Sequence, residues 1–182
     1  PGEPRSRHSA NQMKLNKLGY IIKEAHLKSL QATSASHPAS SSSAVPPPIK
    51  HKANADSGTT GYYFALQDIN CLHDVRQSEP HEVVTVTLPA GEEIQSTHIG
   101  ELRLSPDHAG QQVHVFQSLW GSLLSIGDLC DMGLIAVFDK HKVYIVDLDQ
   151  EAVVLTGDRD EHTRLWMIAM QPIQADEEKN AI

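Results

Sequence analysis

The chain has 182 residues, of which 40 % are hydrophobic, and its net charge is −8. This composition supplies enough apolar material for one core but not for two, so we predict a single domain with flanking segments. No apolar run approaches the roughly 20 residues that a membrane-spanning helix needs, and we expect no membrane partner. The sequence begins with Pro and carries no visible secretory signal, so we expect a piece of a longer polypeptide.

Charge is distributed unevenly along the chain. Residues 1–52 hold eight Lys or Arg against two Glu, whereas residues 53–182 hold seven against 21 Asp or Glu. The acidic part is not expected to attract nucleic acid, and the basic part would do so only weakly because its charges are scattered. The two cysteines, Cys71 and Cys130, are too few for a disulfide framework, which favours free thiols in a reducing compartment.

The N-terminal segment, 1–52, is predicted to hold a weak helix and a linker. Ser9 and Gln12 have the spacing of a capping box. Apolar residues follow at helical intervals, at Leu15, Leu18, Ile22 and Ala25. Gly19 weakens this helix, which we expect to be marginal with no domain beside it. Fourteen of the eighteen residues in 31–48 are Ser, Ala or Pro, which predicts a disordered linker.

The sequence pattern of residues 53–170 predicts a small, mainly β domain, because apolar residues alternate with polar ones and turn residues recur. Strands are predicted at 83–88, 94–104, 113–116, 134–138, 143–146, 153–155 and 165–168. The turn 89–92 joins the first two into a hairpin, and the only helix expected is a short one near Ile126–Met132. Residues 171–182 are predicted to be an acidic, solvated tail.

One short motif is compatible with catalysis: Asp56-Ser57-Gly58, followed by Thr59 and Thr60. Alone, Asp-Ser-Gly is also ordinary turn chemistry. Aspartic proteases place two such loops face to face, so that two carboxylates share one proton. The ionised carboxylate activates a water, and the protonated one polarises the scissile carbonyl. Because the motif occurs once here, a working site would need two chains related by a two-fold axis.

A second pattern ends 71 residues after Asp56, where Leu123, Leu124 and Ile126 precede Gly127 at the start of the predicted helix. Retropepsins, the aspartic proteases with one loop per chain, carry apolar residues followed by Gly at a similar place. In those proteins the pattern packs under the active-site loop. The similarity implies the same role for these four residues.

An ordered set of segments over roughly residues 53–170 resembles the protease region of copia-type retrotransposon polyproteins. The matching segments are 55–60, 84–92, 96–104, 122–133, 136–139, 155–160 and 163–166. The resemblance implies a retropepsin-like closed β-barrel with one short helix, completed by homodimerisation. It also implies that 1–52 connects Gag to the protease and that 171–182 leads toward integrase.

The function implied by this resemblance is an aspartic endopeptidase that cleaves its own polyprotein, inside the cell and within a virus-like particle. Asp56 would supply the carboxylate, Ser57 the hydroxyl that locks the two loops together, and Gly58 the turn. Thr59 and Thr60 would complete the loop and hydrogen-bond the carboxylate. We expect no cofactor and no metal, since the 11 His are scattered along the chain.

Two alternatives stay open at this stage. The flap, the hairpin that closes over a substrate in retropepsins, is either 83–100, with Gly91 near its tip, or a shorter segment at 74–82. The rival function is a catalytically inactive, all-β binding or assembly module derived from such a protease. Replacing Asp56 by Asn and assaying autoprocessing would separate the two functions.

Overall fold

The computed structural model of the chain describes residues 5–34, 51–105 and 107–173. Two α-helices and a 3₁₀ helix, Leu66–Cys71, occur among them. The α-helices are α1 (Arg5–Ser34) and α2 (Ile126–Asp131). The strands are β1 (His51–Asp56), β2 (Tyr62–Ala65), β3 (His73–Gln77), β4 (Thr85–Thr87), β5 (Glu93–Leu102), β6 (Gln111–Phe116), β7 (Ser122–Ser125), β8 (Ile135–Phe138), β9 (Lys142–Asp147), β10 (Ala152–Arg159) and β11 (Trp166–Met170).

The strands form one continuous sheet in the order β3-β5-β6-β2-β7-β1-β11-β10-β9-β8, and β4 pairs with β5 off this path. The prediction of a mainly β chain is confirmed. The predicted closed barrel is wrong, because the described sheet has two ends. Closure would require β3 to pair with β8, and each of them has a single described neighbour on the path.

The central strands β1, β7 and β2 determine the position of the loop that follows β1. Strand β7 lies between β1 and β2, parallel to β1 and antiparallel to β2. Because β1 and β7 run in the same direction, their carboxyl ends meet at the same edge of the sheet. Asp56, the last residue of β1, therefore lies opposite Ser125, the last residue of β7. The chain from β1 to β2 turns at that edge, directly beside the start of α2.

One main core is formed by side chains from most of the strands. It includes fully buried side chains from six strands, among them Phe64, Val113, Leu124, Ile145 and Ile168. Each such side chain contributes about 1.5–3 kcal/mol when it is completely removed from water. This core rigidifies β1 and β7, the two strands that carry Asp56 and Ser125.

Helix α1 is longer and better supported than the sequence predicted. Ile21 is buried against Tyr144 and Val146, and other apolar residues of the helix pack around them. Lys17 also forms an ion pair with Glu151, at 3.0 Å between Nζ and Oε1. The expectation that no domain lies beside the helix is wrong, because the domain supplies this apolar surface.

The boundaries of the N-terminal segment also differ from the prediction. Ser9 lies inside α1 rather than at its start. Residues 31–34 of the predicted linker are helical, and the rest of the linker lies outside the described residues. His51 and Lys52 already belong to β1.

Two smaller differences concern the β domain and its tail. The short helix expected near Ile126–Met132 is present as α2, but the 3₁₀ helix between β2 and β3 was not expected. The start of the predicted tail returns to the domain, where the Ile173 N–H donates to the Asn70 carbonyl oxygen at 2.9 Å. Residues 174–182 lie outside the described residues.

The predicted hairpin is present, and it unites the two candidate flap segments. Near the turn, β5 pairs with β4 through Thr87 and Glu93. Farther along, the same strand β5 pairs with β3, where Gln77 lies opposite His98. Gly91, in the turn, has a φ of +86°, a conformation that Gly adopts at no steric cost. The two segments are therefore the outer and inner parts of one long hairpin.

Candidate active site

The Asp56 loop is held by a short hydrogen bond of its own. The Gly58 N–H donates to Oδ1 of Asp56 at 2.8 Å, which closes a turn around the carboxylate. A Cβ atom at residue 58 would lie 3.3 Å from the same oxygen, a distance tighter than most real Cβ contacts. Glycine at this position therefore leaves the carboxylate room in the turn. Asp56 is half-buried and the two residues after it are exposed.

Ser125 connects this loop to the helix beneath it. Its hydroxyl donates to the Thr59 carbonyl oxygen at 3.1 Å and accepts from the Asp128 N–H at 3.2 Å. The second bond makes Ser125 the N-cap of α2. The buried Ser125 side chain thus connects the Asp56 loop to the first turn of α2. Sequence reasoning gave Ser125 no role, although Ser followed three residues later by Asp at a helix start is a capping signal.

The apolar residues beside Ser125 occupy different environments. Leu124 is fully buried and Ile126 is 7 % exposed, so both belong to the core beneath the loop. Leu123 points to the other face of β7 and is only half-buried. Gly127 is exposed, and a Cβ atom built there would meet only the Ser125 hydroxyl, at 3.7 Å. The expected burial is therefore observed for Leu124 and Ile126 and is partial for Leu123.

The hydroxyl groups of the loop do not bind the Asp56 carboxylate in the described chain. Thr59 donates to the Gly61 carbonyl oxygen at 3.3 Å, and the Thr60 hydroxyl lies 3.4 Å from the Tyr63 hydroxyl. The expectation that the two threonines hydrogen-bond the carboxylate is wrong, because their side chains stabilise the return of the chain into β2. The exposed Ser57 hydroxyl makes no hydrogen bond within the part of the chain that the structure describes.

An apolar cavity of about 140 Å³ lies between the hairpin and the face of the sheet that carries Leu123. Its walls come from four separate stretches of sequence. The lining residues are Tyr63, Val86, Thr87, Leu88, Pro89, Ile94, Phe116, Leu119 and Leu123. Tyr63 and Phe116 meet edge to face, with ring centroids 5.5 Å apart. No sequence signal marks this cavity, because its walls are brought together only by the pairing of β2, β6 and β7.

A buried carboxylate lies near the opposite end of β1. Asp68 is on the 3₁₀ helix. The Ser122 hydroxyl donates to its Oδ2 at 2.6 Å, and its Oδ1 lies 2.8 Å from Nδ1 of His51. The Ser122 oxygen in turn accepts from the Ala65 N–H at 3.0 Å. This network joins β1, β2 and β7 to the 3₁₀ helix. It is not a nucleophilic triad, because Ser122 bonds to the carboxylate rather than to the imidazole.

Cys71 lies close to this network, and its burial keeps the thiol unreactive. Burial, together with the nearby Asp68 carboxylate, raises the pKa of the Cys71 thiol to about 11. A thiol with such a pKa is almost entirely protonated at neutral pH and is a poor nucleophile. Cys130, on α2, is exposed. In the described ranges, no three His, Cys, Asp or Glu side chains are grouped closely enough to hold a metal ion.

No protein-family model, curated protein or solved structure matches this chain. In the described parts of the chain, no helix combines the length and the hydropathy needed to cross a bilayer. The geometry around Asp56 is one carboxylate in a tight turn at the end of a central strand. A separate apolar cavity lies under the hairpin and is lined by Leu123 of the neighbouring strand β7.

Proposed function

We propose that the protein is an aspartic endopeptidase of retropepsin type that acts as a homodimer on a polypeptide substrate. The observation that carries the proposal is the position of Asp56. Asp56 is the last residue of a central strand, and its carboxylate accepts a hydrogen bond from the Gly58 N–H. The loop that follows is held by the hydrogen bond from Ser125 to Thr59. A group that must exchange protons needs such a fixed place with access to water.

The chemistry follows from bringing two copies of this carboxylate together. Two carboxylates a few ångströms apart cannot both ionise, so they share one proton. The ionised Asp56 takes a proton from a water, which attacks the peptide carbonyl carbon. The protonated Asp56 of the second chain donates to the carbonyl oxygen. Collapse of the resulting diol breaks the C–N bond, with the proton passing to the leaving amine.

The cavity and the hairpin give this site the means to hold a peptide. The cavity is lined by apolar and aromatic side chains and lies under the turn that contains Gly91. Its volume suits one aliphatic or aromatic side chain of a bound peptide. The hairpin above it excludes water from the reacting groups when it closes.

The proposal is tested with the purified chain and a mixed set of fluorogenic peptides. We expect cleavage that a pepstatin-like inhibitor blocks and that Asp56→Asn abolishes. Asp149→Asn, which changes an exposed carboxylate in the turn between β9 and β10, is the matched control and keeps full activity. Activity falls at low pH, where both Asp56 carboxylates are protonated, and at high pH, where both are ionised.

Full activity in Asp56→Asn would rule out the proposed mechanism. The absence of cleavage under all conditions, together with normal folding, would favour the second function raised by the sequence. In that case the chain would be an all-β binding or assembly module that keeps the fold of such a protease without its activity.

A further inference from the structure

The two ends of the described sheet differ in chemistry. At one end, β3 carries charged residues that are held in ion pairs, Arg76 with Glu82 at 2.6 Å and Asp74 with Arg103 at 2.8 Å. Charged side chains along an edge strand discourage pairing with another chain. At the other end, β8 has the sequence Ile-Ala-Val-Phe, with no charge and no Pro. Its last residue, Phe138, is 40 % exposed.

We propose that the outer edge of β8 pairs with β8 of a second copy of this chain, antiparallel across a two-fold axis. This inference rests on the proposed function, because an aspartic peptidase with one Asp56 per chain needs a second copy. A two-fold axis perpendicular to an edge strand pairs that strand with its own copy in the antiparallel sense, as an isologous contact. An uncharged, self-complementary edge is what such a contact requires.

The hydrogen-bonding pattern identifies the groups that face outward. The Asp139 N–H donates to the Lys142 carbonyl oxygen at 2.9 Å, which fixes the phase of the ladder between β8 and β9. In antiparallel pairs the bonded residues alternate, so Ile135 and Val137 bond to β9. The N–H and C=O groups of Ala136 and Phe138 then point away from β9, toward the open edge.

This phase defines one register for the pair of strands. With the two-fold axis at Val137, Ala136 lies opposite Phe138 of the second copy, and each such pair exchanges two hydrogen bonds. The contact therefore forms four main-chain hydrogen bonds. The large Phe138 side chain lies beside the small Ala136 side chain, which avoids a clash across the interface. Val137 lies opposite Val137 of the second copy.

The strand is also linked to the Asp56 loop by a short path. Ser125, which holds that loop, caps α2, and the helix packs against β8. A six-residue helix is about 9 Å long. The Leu134 N–H donates back to the Leu129 carbonyl oxygen at 3.1 Å, so β8 begins directly at the end of α2. Within each chain, a contact made through β8 is therefore connected to the Asp56 loop through α2 and Ser125.

Disulfide trapping tests the proposed register directly. Val137→Cys is made in a Cys130→Ser background, so that the remaining native thiol is the buried Cys71. In the proposed register the two Cα atoms at position 137 lie about 4.5 Å apart, within the range that a disulfide spans. Mild oxidation should convert most of the protein into a covalent dimer on a non-reducing gel, and reduction should reverse it.

Ile135→Cys in the same background is the matched control. Residue 135 lies on the same face of β8, but its own copy is four residues away along the pair, or about 14 Å. A disulfide cannot span that distance, so we expect no covalent dimer. Equal cross-linking of both variants would indicate random collision and overturn the proposal. A dimer by mass that Val137→Cys does not trap would also overturn it.

A second variant tests the main-chain bonds. Ala136→Pro removes an N–H that faces the open edge and leaves the ladder to β9 intact. We expect this variant to be folded and monomeric at concentrations where the wild-type chain is dimeric. A folded Ala136→Pro dimer would contradict the pairing. Trapping at residue 137 together with undiminished cleavage in Asp56→Asn would instead refute the proposed function alone.

Discussion

Asp56 and Asp68 are both aspartates close to the ends of β1, yet their surroundings differ. The Asp68 carboxylate is 4 % exposed, and both of its oxygens have partners, His51 and Ser122. The Asp56 carboxylate is half-buried and receives one hydrogen bond, from the Gly58 N–H. A carboxylate whose two oxygens are both hydrogen-bonded in the interior stabilises the fold. A carboxylate that is partly exposed can still accept further hydrogen bonds from water or a substrate. The contrast leads us to expect that replacing Asp68 affects mainly stability, whereas replacing Asp56 affects mainly the proposed activity.

The largest expected effect is on activity. We expect Asp56→Asn to lower kcat/KM by at least about 10²-fold, the low end of what a general acid–base group contributes. Its unfolding free energy should stay within about 0.5 kcal/mol of wild type, because the Asn oxygen can still accept from Gly58. Peptide cleavage and urea unfolding of the same preparation measure both quantities. A strongly destabilised variant would mean that Asp56 is a structural residue like Asp68.

The next effect concerns the packing under the loop. Leu124→Ala should cost about 2–5 kcal/mol, because the side chain is fully buried and its removal leaves a cavity. Leu123→Ala is the matched control, since Leu123 is half-buried and lines the cavity under the hairpin. It should cost less stability and should raise KM for peptides. Equal losses of stability in the two variants would contradict the assignment of Leu124 to the core face of β7 and of Leu123 to the cavity face.

Asp68→Ala should destabilise the protein by about 1–3 kcal/mol, because His51 and Ser122 are left in the interior without their partner. Urea unfolding measures this loss. Asp149→Ala, at an exposed turn, should change the unfolding free energy by less than about 0.5 kcal/mol. An Asp68→Ala protein as stable as wild type would show that the buried network contributes little.

The smallest effect concerns the ion pair beside the hairpin. The Arg76 guanidinium, helped by the Glu79 N–H, holds the pKa of the Glu82 carboxyl at about 2, below its usual value of 4.5. A lowered pKa in the folded state means that this stabilisation is present above pH 4.5 and is lost as the pH falls through 2. Melting temperatures of wild type and Glu82→Gln should therefore differ slightly at pH 6 and converge near pH 2. A difference that widens toward low pH would contradict this assignment.

Sequence reasoning found the part of the fold in which local patterns decide the structure. Strands such as β4, β5 and β9 combine β-branched residues with turn signals, and they lie where they were predicted. Strand β1 was missed because His51, Lys52 and Asn54 are polar, and its buried residues are only alanines. Its structure depends on pairing with β7 and β11, which are far away in sequence.

The candidate site was predictable to a similar degree. Asp56 and Gly58 are marked by a local motif, and the turn that they form is local. The link between Thr59 and Ser125 spans 66 positions, and nothing in the local sequence specifies it. The two threonines were assigned to the carboxylate by resemblance, but their hydroxyls bond to Gly61 and Tyr63. Motifs thus located the loop, and long-range pairing determined what supports it.

The central claim is that each chain supplies half of one active site. Specific peptidase activity measured over a wide range of chain concentrations, with the mass of the particle determined at each, tests it most directly. We expect specific activity to follow the fraction of dimer and to vanish when the chain is diluted into monomers. Specific activity that stays constant far into the monomer range would contradict the shared site, because Asp56 would then act without its second copy.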